Sequence, residues 1–251
     1  TVFDAVIDRY FHPSQWHADR YLGLYPEISK AKQRARMTNG IDPIRYTQDV
    51  IRDKYRVVYS SSPDRGLHHL LAMWPTVKQQ VPAASLHVFY DKDKWLATVK
   101  QLKEAGYYVN TAEVASKVEQ GIKAVEGLNV EFHGGVGQWQ LAAEQLKSSL
   151  MVYPCDPVQP TEGFSMSCLE GITAGCTLIT SNADALGELW TDAPGAIVLP
   201  LPIDQGVWVD AIVRELSGDV DGHQPRIPEH FMWKTLARQW QKEFEACLQI
   251  Q

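Results

Sequence analysis

Two rhythms of apolar residues alternate along the chain. Short, nearly unbroken runs rich in β-branched and aromatic residues occur at 54–60 (KYRVVYS), 85–90 (SLHVFY), 129–134 (NVEFHG), 150–154 (LMVYP), 177–181 (TLITS) and 196–200 (AIVLP). Bounded by polar, Gly and Pro residues, these predict strands. Between them lie stretches with apolar positions three or four apart. In 67–81 these are residues 67, 70, 71, 74 and 77. The same spacing predicts helices over 94–104, 112–126, 138–149, 165–175, 206–217 and 230–248, with Thr111 as the expected cap of the 112–126 helix. Nearer the start, 4–8 (DAVID) reads as a short strand, the residues through Tyr25 as a helix, and Asn39-Gly40 as a tight turn. Strands that do not alternate with polar residues are buried on both faces. Strand following helix throughout therefore predicts an α/β fold, a parallel sheet with helices on both faces. No internal repeat or low-complexity tract interrupts it.

Composition narrows the reading. Of 251 residues, 45% are hydrophobic and 22% charged, enough apolar material for a real core. No run approaches the roughly 18 apolar residues of a membrane span. The net charge of −6 argues against nucleic acid as a partner. Cys155, Cys168, Cys176 and Cys247 show no CxxC spacing, so all four read as reduced, the protein as cytoplasmic, and a zinc site is not expected. Thr1 begins in mid-pattern, as expected of part of a longer polypeptide.

The chemistry concentrates in 154–181, PCDPVQPTEGFSMSCLEGITAGCTLITS, where Glu162 and Glu170 lie eight positions apart. Glu162 falls in a Pro/Gly loop after a strand, and Glu170 inside the helix that follows. Ligands of such sheets bind at the carboxyl ends of the strands. Two carboxylates there cannot both face phosphates, but they can accept hydrogen bonds from sugar hydroxyls while backbone N–H groups at the helix start face the phosphates. A sugar nucleotide needs both.

The order of these motifs resembles the C-terminal half of a GT-B-fold retaining glycosyltransferase of family 4, over nearly the whole chain. The segments that carry the likeness are NGID (39–42), SSPDRGLHHLL (60–71), SLHVFY, VEFHGGV (130–136), VYP (152–154), EGFSMSCLEGITAGCTLITS (162–181) and WKTLARQW (233–240). The resemblance implies a Rossmann-like domain over 31–228, a remnant of an N-terminal acceptor domain and linker over 1–30, and a crossover helix over 229–251. It implies transfer of a hexosyl group from a nucleoside-diphosphate sugar to a glycan or lipid-linked hydroxyl, with retained anomeric configuration and no cofactor or metal. Peripheral contact with a membrane is compatible with such acceptors. Most of the acceptor site would belong to the missing N-terminal domain.

Residue by residue, the likeness assigns Glu162 to the transferred sugar and the charge developing at its anomeric carbon. Glu170 would accept from the ribose, and Arg65 with Gly66 would meet the diphosphate, although Arg65 could instead cap a turn or pair with Asp64. Where the family carries a second basic residue this chain has Ser60, so Ser61 and Ser62 are expected to add neutral donors. Gly163, Phe164 and Ser165 would offer backbone N–H groups, and Gly135 with Val136 would line the base pocket. His133 reads as a strand-end residue and at least one of His68 and His69 as a surface residue. His12 and His17 receive no catalytic role, because the family's relevant histidine lies in the missing domain. Trp74, Trp233 and Trp240 read as core. Asp91-Lys92-Asp93 has metal-binding spacing at the wrong strand. Two other readings stay open: a sugar-nucleotide epimerase or phosphorylase on the same fold, and a non-catalytic sugar-nucleotide-binding module of a larger protein.

Overall fold

The computed structural model describes residues 4–107, 109–218 and 228–248. Its main sheet has six parallel strands: β3 (Asp53–Tyr59), β4 (Ser85–Val88), β5 (Val130–Phe132), β6 (Ser148–Tyr153), β7 (Thr177–Ser181) and β8 (Ala196–Leu199), in the order β5-β4-β3-β6-β7-β8. Every residue of β4, β6 and β7 is buried, while the edge strands β5 and β8 are only partly covered. This explains the unbroken apolar runs: inner strands of a parallel sheet have no solvent face.

Strand order also fixes where the helices go. From β3 the chain steps outward through α2 (Leu67–Gln80) to β4, then through α3 (Lys92–Glu104) and α4 (Val109–Ala124) to β5. It returns through α5 (Gln138–Leu146) to β6 and steps the other way through α6 (Met166–Thr173) and α7 (Leu186–Trp190). Right-handed crossovers in opposite directions put their helices on opposite faces. Accordingly α2 packs on α4 and on α8 (Gln205–Ser217), while α5 packs on α6. This is the Rossmann-like α/β arrangement expected from the sequence. The reversal falls between β3 and β6, the crevice in which open sheets bind ligands.

A small second unit lies outside the sheet. Two short parallel strands, β1 (Tyr10–Phe11) and β2 (Gln33–Arg34), flank α1 (Gln15–Leu24). Phe11 packs on Trp240 of α9 (Trp233–Leu248) with ring centroids 4.5 Å apart, and Arg34 pairs with Glu243 at 3.2 Å.

Several local expectations fail for physical reasons. Residues 4–6 form a turn, and the strand follows at 10–11. Asn39-Gly40 runs into a parallel bridge between Ile41 and Met232 rather than a turn; a Cβ on Gly40 would lie 2.5 Å from the Trp233 ring, so packing dictates this glycine. Thr111 lies inside α4 instead of capping it, and the helix expected over 138–149 stops at Leu146 because β6 already begins at Ser148. Trp74 is core, with its indole N–H donating to Leu128 O at 2.9 Å, but Trp233 is half exposed. His68 and His69 are both half-buried, and His69 meets Asp156 at 3.1 Å. The four cysteines are free thiols.

Candidate functional site

The loops after β3 and β6 meet where the strand order reverses. Gly66 makes this crossing possible. At φ +95° it begins α2, and a Cβ there would fall 1.7 Å from the carbonyl oxygen of Pro154, just past β6. Only glycine tolerates both the left-handed backbone and that approach. The crossing brings Arg65 beside Glu162.

Glu162 is buried, at 8% exposure. Its Oε2 accepts a hydrogen bond from Tyr153 Oη at 2.8 Å and lies 3.5 Å from Arg65 Nη1. Burial raises the Glu162 pKa above the ordinary carboxylate value; the Tyr153 hydrogen bond and the Arg65 charge oppose this, while Asp184 and Asp64 add to it. Asp184, held at φ +52°, accepts from the backbone N–H groups of Thr161 and Glu162 at 2.8 and 2.9 Å and so fixes the loop. Arg65 Nη1 is buried and, although close enough to Glu162 for attraction, makes no hydrogen bond. Burial, the largest single effect, lowers the Arg65 pKa, but Glu162, Tyr153, Cys155 and Asp64 together outweigh it and raise it overall, so the guanidinium stays charged.

The serine loop is tied into the same network. Ser61 Oγ donates to Tyr153 Oη at 3.4 Å, and Ser62 donates its hydroxyl to Asp64. Both hydroxyls are thus engaged within the protein. Ser60 is a hub: its Oγ accepts from Gln145 Nε2 at 3.2 Å and its carbonyl from Ser167 Oγ at 2.6 Å.

Glu170 lies one turn beyond Ser167 on α6, which Ser165 caps by accepting from Cys168 N at 3.3 Å. Burial raises the Glu170 pKa, against the charge of Arg45 and a hydrogen bond to Gln145.

Three clefts open around these strand ends. One of about 650 Å³ holds Arg65, Asn110 and Thr161, and one of about 540 Å³ holds Ser60, Phe89, Gly135 and Val136. Glu170 opens into a third of about 510 Å³ with Arg45, Trp139 and Trp233. The predicted residues therefore surround one end of the sheet without lining a single cavity.

Gly163 and Phe164 have local reasons of their own. The Gly163 N–H donates to Thr161 O at 3.1 Å, and a Cβ on Gly163 would meet His17 Cδ2 at 3.0 Å. The Phe164 ring is buried against Trp190 and Phe231.

The sequence reading missed Arg45, Asp184 and the histidine pair. His12 Nδ1 and His17 Nδ1 are 2.8 Å apart, and the pair abuts the Glu162 loop through His17. Glu188, whose carboxylate accepts from Gln15 N and Trp16 N, anchors α1 there. No local signal in the sequence joins positions that far apart.

Solved structures share this architecture at low identity. The pneumococcal O-GlcNAc transferase GtfA, in complex with UDP and GlcNAc, superposes with a TM-score of 0.68 at 13% identity, covering 96% of this chain and 46% of that one. Sucrose-phosphate synthase from Thermosynechococcus elongatus gives 0.67 at 17%, covering 100% and 61%. Anabaena HepE, in complex with UDP and glucose, gives 0.66 at 13%, covering 95% and 63%. The chain thus spans about half to two-thirds of those proteins' lengths. No curated protein matches by sequence. From β3 to the end of α8, the elements that build the crevice, residues 54–217 match the family described as Glycosyl transferases group 1, and the chain belongs to that family.

Proposed function

We propose that this chain is the donor-binding half of a retaining glycosyltransferase that moves a hexosyl group from a nucleoside-diphosphate sugar to a hydroxyl of a glycan or lipid-linked acceptor. One observation carries the reading. A buried guanidinium nitrogen without a hydrogen-bond partner stands 3.5 Å from a buried carboxylate at the sheet's switch point. Such a pair suits a ligand that is anionic on one side and rich in hydroxyls on the other. UDP with a sugar in two of the similar structures accords with it.

In this reading Arg65 meets the diphosphate, supported by N–H groups of the 61–66 loop and the start of α6. Glu162 accepts from the sugar's hydroxyls, and its charge stabilises the oxocarbenium-like transition state. Glu170 accepts from the ribose, and Gly135 and Val136 border the base. Arg65 supplies the positive field at the diphosphate, so donor binding requires no divalent ion. The acceptor-positioning surface belongs to a facing domain, with α9 and the 4–34 unit on that side, and the enzyme works in the cytoplasm, in peripheral contact with a membrane where the acceptor is a lipid. A second reading, a non-catalytic sugar-nucleotide-binding module, draws on Ser60 standing where a second basic residue would be. NMR of the product made by the polypeptide carrying both halves decides the mechanism: the anomeric configuration of the donor is kept. An inverted product overturns retention, and donor binding without transfer favours the second reading.

A further inference from the structure

Away from the crevice, three side chains converge on one face of the β4–β5 edge. His87 and Glu131 are register partners, and His133 follows Glu131 by two residues, so strand periodicity puts all three on the same side. His87 Nδ1 lies 2.9 Å from His133 Nε2, and Glu131 Oε2 lies 3.7 Å from the first and 3.6 Å from the second. A triangle with those sides has its centre about 2.0 Å from each corner, the length of a Zn–N or Zn–O bond. A hydrogen bond between two neutral imidazoles accounts for the 2.9 Å separation alone. It does not account for a carboxylate oxygen equidistant from both nitrogens.

The rings are also held in place. The other nitrogen of His87, Nε2, is 3.2 Å from Ser85 Oγ, the outer hydrogen bond that orients metal-ligating histidines. His133 stacks on Phe89 with centroids 4.5 Å apart and planes within 7°. A cation, Arg56, also lies near His87. Arg56 itself is paired with Glu144. Glu131 is exposed, which gives an ion a way in and leaves a further position for water.

We propose that His87, Glu131 and His133 form a binding site for a zinc-type divalent transition metal that ties β4 to β5. Two imidazoles and one carboxylate suit such an ion better than Mg²⁺ or Ca²⁺, which prefer all-oxygen shells. The site is independent of donor chemistry, since none of its ligands lies in the Glu162–Arg65 cluster. Cysteine spacing could not announce it, because the ligands are one carboxylate and two histidines brought together by strand pairing.

The test is calorimetric titration of metal-stripped protein with Zn²⁺, with Mg²⁺ as the control, alongside the Co²⁺ absorption spectrum. One Zn²⁺ should bind with a dissociation constant below about 10 μM and raise the Tm, while Mg²⁺ does neither. Glu131→Gln and His133→Ala, at exposed or half-exposed positions, should each weaken Zn²⁺ at least tenfold and bleach the Co²⁺ bands. The surface control His230→Ala should change neither. Weaker binding, or binding unchanged in the Glu131→Gln/His133→Ala double variant, identifies adventitious histidine contacts and overturns the proposal.

Discussion

Replacing Gly66 with alanine tests the crossing that sets Arg65 beside Glu162. The added Cβ would come 1.7 Å from Pro154 O and 2.6 Å from Pro154 C. Both are backbone atoms, so no change of rotamer relieves the overlap, and the two loops must part by more than an ångström. The left-handed backbone alone costs an L-residue about 1–2 kcal/mol, and displacing packed backbone adds about 1–3 kcal/mol. Together these amount to about 2–5 kcal/mol. In a chain of this size each kcal/mol moves the Tm by about 2–4 °C, so Gly66→Ala should melt about 4–20 °C below wild type. Gly127→Ala is the control: its φ is +76°, but nothing lies within 4 Å of its Cβ. It incurs only the first cost, about 2–8 °C. Scanning calorimetry of the three proteins side by side gives the answer. If Gly66→Ala melts no lower than Gly127→Ala, the close crossing is not a feature of the fold and the placement of Arg65 loses its foundation.

Other expectations concern the charges. Arg65→Ala should keep nucleoside affinity and abolish the gain that a nucleoside diphosphate has over it; equal losses in calorimetry would make Arg65 structural. Glu170→Ala should weaken nucleotide binding by about 1.5–3 kcal/mol, the value of a hydrogen bond to a charged group, in a protein that still folds; unchanged affinity refutes its ribose role. Because burial raises the Glu162 pKa, the folded chain holds that proton more tightly than the unfolded chain does. Its contribution to stability is complete below the ordinary carboxylate value and is lost as pH rises through the raised folded value. Glu162→Gln lacks this term, so its Tm relative to wild type should climb across that window; parallel Tm–pH curves would contradict the shift.

The sheet was legible because burying both faces of a strand leaves few polar positions, as in the LMVY run that follows the buried Ser148 and Ser149 of β6. Helices flanked by such strands were equally plain. Boundaries were less so: nothing local says that α5 stops before Ser148, since the halt comes from the pairing of β6 with β3. Trp233 misled for a related reason. Its helical spacing suits a core, but α9 buries only Leu236 fully and leaves Trp233 at the mouth of the Glu170 cleft. In the site, Glu162, Arg65 and Gly66 were readable because loop chemistry is local. Tyr153, which holds the Glu162 carboxylate, looked like one more strand aromatic. Arg45, Asp184, His12 and His17 reach the crevice only through tertiary packing.

The most direct test of the central claim is calorimetric titration of the chain with UDP, GDP and ADP in the presence of EDTA. The account predicts that one of these nucleoside diphosphates binds, that chelation leaves its affinity unchanged even with the β4–β5 metal removed, and that Arg65→Ala loses it. Failure of all three nucleotides to bind, or strict dependence of binding on Mg²⁺ or Mn²⁺, would contradict a donor site built from Arg65, Glu162 and the loops around them.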